Sequence, residues 1–318
     1  MTLRDKVTEA IPQVPKEKVY SSDYPFYYKD YRDNLFCPMG EQAYNAYQQG
    51  SGSELLPELK NGQECPPKMA SITSSSAMTF NLLGDGPAVI KGNRLPQGAY
   101  QVQYEKQMFT LGRSISPANL DAFLSNEQRK TAIFCEMKMM EYLRKPGSLT
   151  QSYFDRDRYF AEDLHTIRHP LNAYEVFQKV IKEIEKADFK RYDAWQMFKH
   201  LLAIYSYTSF TTQAAVNKRK SGPSMAGKYS NIILTNVVNE FTLTNADTHT
   251  KAEYAAALEE EQMEAKRFIE IICSSDIPVL FTNHCQADFQ VQYLSAKEFA
   301  DDLDMPTEKR DYLKRYFT

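Results

Sequence analysis

The chain has no pair of cysteines spaced for a metal knuckle. Its five cysteines, Cys37, Cys65, Cys135, Cys273 and Cys285, are odd in number, widely scattered and never form a CxxC. That argues against a disulfide framework and a structural zinc site. The histidines at 165, 169, 249 and 284 lack zinc-ligand spacing as well. No apolar run approaches the ~18 residues that span a bilayer. The opening stretch "MTLRDKVTEAIPQVPKEK" has no apolar segment of the signal-peptide kind, so the expected setting is cytoplasmic, away from membranes. Neither a Walker A loop nor G-x-G-x-x-G occurs, which disfavours nucleotide-driven and dinucleotide enzymes. "SSSAM" is not a nucleophile elbow. Basic charge is not in excess either: 38 Lys and Arg face 41 Asp and Glu, for a net charge of −3. No global positive field announces nucleic acid, although a sum conceals local grooves.

What remains is the composition of an ordinary globular protein, long enough at 318 residues for a substantial core. Residues 1 to about 45 read as an irregular arm, rich in Pro, Tyr and charge. Ser53 is placed to cap a short helix with Glu54 in its first turn. "SITSSSAMTFNLLGDG" reads as a helix that starts on serines and ends at Gly84. The period then changes to two: "GAYQVQYEKQMFTL" alternates, with Tyr100, Val102 and Tyr104 opposed to Gln101, Gln103 and Glu105. With "NLDAFL" and "TAIFCEMKMM" it predicts an antiparallel meander over 99–140. Two helices follow, the second opening on a capping box from Asp193 to Gln196. Then come a basic Gly/Pro/Ser loop, a strand "NIILTNVV", a long helix from about 251, strands "IPVLFTNH" and "FQVQYL", and two closing helices. The whole predicts one α/β domain built on a mixed sheet flanked by helices.

The meander carries an oddity. Alternation puts Phe134, Glu136 and Lys138 on one side of their strand, with Glu136 and Lys138 roughly 6.5 to 7 Å apart. Across the "SNEQRK" turn, Asp121 comes opposite the same region. Two carboxylates this close repel and are costly to bury without compensation. A divalent cation held by carboxylates and a backbone carbonyl supplies it. A lysine beside that cation would hold a phosphate oxygen or an attacking water, the chemistry of phosphodiester hydrolysis. On spacing alone the simpler reading is a salt-bridged strand pair in which Lys138 answers an acid and nothing is catalysed.

Acid, turn and then E-x-K on the next strand resembles the PD-(D/E)xK nuclease superfamily. More narrowly, "GSGSEL" (50–55), "KMASITSSSAMTFNLLG" (68–84), "YEKQM" (104–108) and "LDAFL…IFCEMK" (120–138) together resemble a bacterial family of restriction endonuclease-like proteins. The resemblance covers roughly residues 45 to 145; beyond them only the order of helices and strands carries it. It implies a restriction endonuclease-like core, and Mg²⁺ (or Mn²⁺) bound by Asp121, Glu136 and the Met137 carbonyl. Lys138 would be the catalytic lysine. Leu120 stands where the motif has proline. Many members add an acid from the N-terminal side; Glu54 fits, with Glu105 as its competitor.

Further candidates flank this set. Ser75, Ser76 and Asn81 are placed to line a substrate groove, though capping explains the serines equally. Gln196 and His200 share one helix face, most simply its wet face, and otherwise reach the metal site. Lys218, Arg219 and Lys220, with Lys228, make the best basic patch for a phosphate backbone. The expected function is a Mg²⁺-dependent endonuclease acting on nucleic acid, double-stranded DNA in the first place. A homodimer would cut both strands. The rival is a nucleic-acid-binding or structural protein that keeps the fold without turnover.

Overall fold

Thr131–Met137 is buried at every position, so this strand needs cover on both faces. The chain supplies that cover from its two ends. In the computed structural model, residues 1–49, 54–108, 117–148, 171–210 and 225–317 are described. The first part holds α1 (Leu3–Ala10), a hairpin of β1 (Val19–Ser21) and β2 (Tyr24–Tyr28), and α2 (Glu41–Gln49). A second hairpin, β3 (Glu58–Lys60) with β4 (Gln63–Cys65), precedes α3 (Ser75–Leu83). The arm is thus more regular than its Pro- and Tyr-rich composition implies. Glu54 sits in a turn, not a helix. The serine signal before α3 holds: Ser74 accepts the Ala77 N–H at its start, and Gly84, at φ 80°, closes it.

Six strands make one mixed sheet: β5 (Ala88–Ile90), β6 (Gly98–Met108), β7 (Ala118–Asn126), β8 (Thr131–Lys138), β9 (Asn231–Val238) and β10 (Asp288–Ser295). Their spatial order is β10-β9-β8-β7-β6-β5. β5 to β8 are antiparallel neighbours, which includes the expected meander. β8, β9 and β10 run parallel, so helical crossovers join them. α4 (Ala173–Ala187) and α5 (Ala194–Thr208) lie between β8 and β9. α6 (Thr248–Ser274) and α7 (Ile277–Cys285) lie between β9 and β10, and α8 (Ala296–Asp302) and α9 (Thr307–Phe317) close the chain.

Two cores result. α3, the arm and the closing helices pack on the face that carries Ile133, Cys135 and Met137. α4, α5 and α7 pack on the face that carries Ala132 and Phe134. The expected strand "IPVLFTNH" is α7. Short apolar runs fit a buried helix as well as a strand, and Pro278 is tolerated in a first turn. Among the described residues no helix is long and apolar enough to cross a membrane.

Candidate functional site

The site forms where a ladder stops. β7 and β8 pair from Asn126↔Thr131 to Ala122↔Cys135 and no further. Asp121 and Glu136 would come next. Instead, Asp121 Oδ2 accepts the backbone N–H of Met137 at 2.6 Å. β8 stays paired with β9 out to Lys138↔Val238, so the opening lies on the β7 side. In a strand, a residue's N–H and C=O point to the same side, which turns the Met137 carbonyl toward this opening too. The β6–β7 ladder is disturbed at the same level. Glu105, between the pairs Tyr104↔Ala122 and Lys106↔Leu120, has φ 48°. A left-handed glutamate within a strand stores ~1–3 kcal/mol of strain.

Glu136 is buried and faces α5. Its Oε1 accepts Lys138 Nζ at 2.8 Å and Gln196 Nε2 at 2.6 Å. Lys138 Nζ also donates to Gln196 Oε1 at 2.5 Å. His200 Nε2 stands 3.0 Å from Glu136 Oε2 as an ion-pair partner. Asp121 reaches the same region from the plane of the sheet. Both carboxylates line one cleft of about 390 Å³, together with Glu54, Glu105, Ser75 and Ser76.

The acids of the cleft are not equivalent. Burial raises Glu136, yet Lys138 and His200 outweigh it and hold the carboxyl down at about 2. Burial likewise disfavours the Lys138 ammonium, and Glu136 more than restores it, so its pKa is raised. Asp121 is pushed well up by burial and then by Glu136 and Glu105. Glu105 is pushed up to about 7 by burial, with Glu54 adding to it. One carboxylate is kept charged, and its neighbours suffer from that charge. An added cation would relieve them.

Among the described residues no three of His, Cys, Asp and Glu form a ready-made metal cluster. The donors nevertheless suit a hard divalent cation. They are carboxylates and a carbonyl.

The structure brings most of the expected residues together. Glu54 is buried at the cleft and accepts Lys68 Nζ at 2.9 Å and Ser76 Oγ at 2.8 Å. Its competitor Glu105 is present as well, so the two acids are companions. Gln196 and His200 are not on a wet face. His200 is 1% exposed, and both press on Glu136. Only half of the expected capping box exists: Asp193 accepts the Gln196 N–H, and the Gln196 amide is spent on Glu136 and Lys138.

Asn81 is a correction. Its amide accepts from Phe36 N at 2.7 Å and donates to the Asn34 carbonyl at 2.9 Å and to Tyr316 Oη at 2.6 Å. It ties the arm to α9 and has no group left for a substrate. Lys218, Arg219 and Lys220 lie outside the described residues, and Lys228 is exposed in a turn. Sequence reasoning missed Asn119, whose amide bonds Glu105. Its place two residues before Asp121, on the same face of β7, was the available signal.

No family model matches the chain, and searches of curated proteins and of solved structures find no match either.

Proposed function

We propose that the chain is a divalent-metal-dependent nuclease with a restriction endonuclease-like core, hydrolysing phosphodiester bonds of double-stranded DNA. The observation that carries this reading is the parting of β7 from β8 at Asp121 and Glu136. It leaves two carboxylates lining one cleft, with the Lys138 ammonium bonded to one of them and the Met137 N–H to the other. Asp121, Glu136 and the Met137 carbonyl would hold Mg²⁺ or Mn²⁺, which supplies Lewis acidity and neutralises phosphate charge. Lys138 donates to a phosphate oxygen or an attacking water and steadies the charge that develops there. Gln196 holds Lys138 against Glu136, which fixes the ammonium beside two residues that line the cleft. Glu54 and Glu105 add acidic groups to the cleft, and Ser75 at the start of α3 offers a hydroxyl to a phosphate, while the Ser76 hydroxyl is spent on Glu54.

One observation favours the rival, a DNA-binding or structural protein without turnover. Lys138 and Gln196 already satisfy Glu136 Oε1, as a salt bridge would. The separating experiment incubates the full chain with linear and supercoiled duplex DNA in Mg²⁺, Mn²⁺ or EDTA. The nuclease reading expects cleavage in either metal and none in EDTA. It also expects Asp121→Asn and Lys138→Gln to lower the rate by at least ~10²-fold. Salt-sensitive binding without cleavage in any of these conditions would support the rival.

A further inference from the structure

The acidic cleft has a basic residue that the sheet does not supply. Arg4, from α1, is half-buried and lines it. Val7, three residues on, is fully buried, and Ile11, seven on, nearly so. Residues at that spacing share a helix face, so Arg4 stands where α1 turns its apolar side inward. Its own helix does not explain it. A cation in the first turn meets the positive end of the helix dipole, and the Thr2–Asp5 capping box already places the favourable acid there. α1 is held in place independently of Arg4. Lys6 Nζ bonds Glu253 Oε2 of α6 at 2.7 Å, and Thr8 Oγ1 lies 3.9 Å from Met140 Sδ, just past β8.

Five carboxylates line the same cleft, those of Glu54, Glu105, Asp121, Glu136 and Glu141, and Arg4 pairs with none of them. Its Nε is shielded from solvent and has no hydrogen-bond partner. The Nη groups beyond it are not closed off, and among the described residues they form no hydrogen bond or ion pair. The other basic residue that lines the cleft, Lys68, is bonded to Glu54 at 2.9 Å. Lys138, next to the cleft, is likewise bonded to Glu136. Arg4 is therefore the lining cation not committed to an acid among the described residues. A half-buried guanidinium cannot shed its proton, and leaving it unpaired is costly, so the position calls for an anion from outside.

We infer that Arg4 binds a phosphate of the nucleic acid strand held in the cleft, its planar fork set on two phosphate oxygens. The inference deepens the nuclease reading and rests on it. The guanidinium geometry matches phosphate bidentately, which a lysine at this place would not do. The acids of the cleft are occupied by a divalent cation, by Lys68 or by Lys138, which leaves Arg4 to meet the substrate's own charge. The N-terminal arm thus completes the site: the sheet supplies the acids, and α1 supplies the arginine.

The test is binding of a short fluorescent DNA duplex to the full chain at fixed Ca²⁺, a cation that carboxylate oxygens also hold, while KCl is varied. Arg4→Gln should bind about tenfold more weakly or worse. Its plot of log K against log salt should be shallower by ~0.9, the share of one phosphate contact. Lys182→Gln, at an exposed lysine of α4 away from the cleft, should keep the wild-type slope. Arg4→Met should melt no lower than wild type, because it sets an apolar chain on an apolar face. An unchanged slope in Arg4→Gln would overturn the inference, since no phosphate then rests on Arg4. Lower melting of Arg4→Met would overturn it too, by making the arginine structural. A duplex bound with the Arg4 share of the slope but never cut in Mg²⁺ or Mn²⁺ sinks the nuclease reading alone. Metal-dependent cleavage with the wild-type slope in Arg4→Gln sinks the arginine's role alone, and a wild-type chain that binds no duplex sinks both.

Discussion

The two ends of the β7–β8 pair share their strands and their register, yet they behave differently. At the closed end Phe123 and Phe134 face each other, buried, with ring centroids 4.8 Å apart. The ladder there runs without a break to Asn126↔Thr131. At the other end the next pair would be Asp121 and Glu136, and the ladder is gone. Apolar cross-strand pairs contribute to a sheet, whereas like charges directly opposite oppose it. The strands part where the side chains change from aromatic to acidic, and the backbone groups thus released, the N–H and C=O of Met137, become part of the site.

Substitutions at the two ends sharpen this contrast. Phe134→Ala should cost the most, ~4 kcal/mol in urea unfolding, through a cavity under α5, and should leave the Mn²⁺ affinity of the folded protein unchanged. Lys138→Met, at the open end, should cost ~3 kcal/mol because it strands the buried Glu136 charge. The double variant Glu136→Leu/Lys138→Met should recover most of that loss. Equal losses in the single and double variants would mean that charge does not govern this end. Asn81→Ala, outside both ends, should lower stability by ~2 kcal/mol without changing cleavage, which checks that its amide serves the fold.

A further effect is one of pH. Glu261 is raised from 4.5 to about 8 in the folded chain, so the folded state binds the extra proton between those values. The stability it contributes is full below 4.5 and fades as pH rises through about 8. Glu261→Gln should flatten this part of the decline, by as much as ~5 kcal/mol across the whole window, and leave the rest, including the part due to Glu105. A stability profile identical to wild type would show that Glu261 ionises normally.

Much of the frame was legible in the sequence. Alternation over Tyr100–Tyr104, the Ser74 cap and the run "NIILTNVV" each state their structure locally, and each forms as expected. The pairing of Glu136 with Lys138 was legible for the same reason, since strand geometry alone places them together. Other features depend on distant partners. Gln196 and His200 look like one polar face of a helix. Only the packing of α5 over β8 shows that they turn inward. Glu105 follows the polar side of its strand by count, and a left-handed backbone, invisible in an alternating pattern, places it in the cleft. Asn81 read as a groove residue because its partners, Asn34 and Tyr316, are 47 and 235 residues away. Ile277–Cys285 failed for a simpler cause: a nine-residue apolar run has no period that separates strand from helix.

The central claim is that the open end of β7 and β8 holds a divalent cation. A crystal of the full chain soaked in Mn²⁺ and measured at the manganese edge tests it most directly. The account predicts one anomalous peak bonded to the carboxylates of Asp121 and Glu136 and to the Met137 carbonyl. No peak there, with Lys138 and Gln196 still closed on Glu136 and Asp121 still on the Met137 N–H, would contradict it.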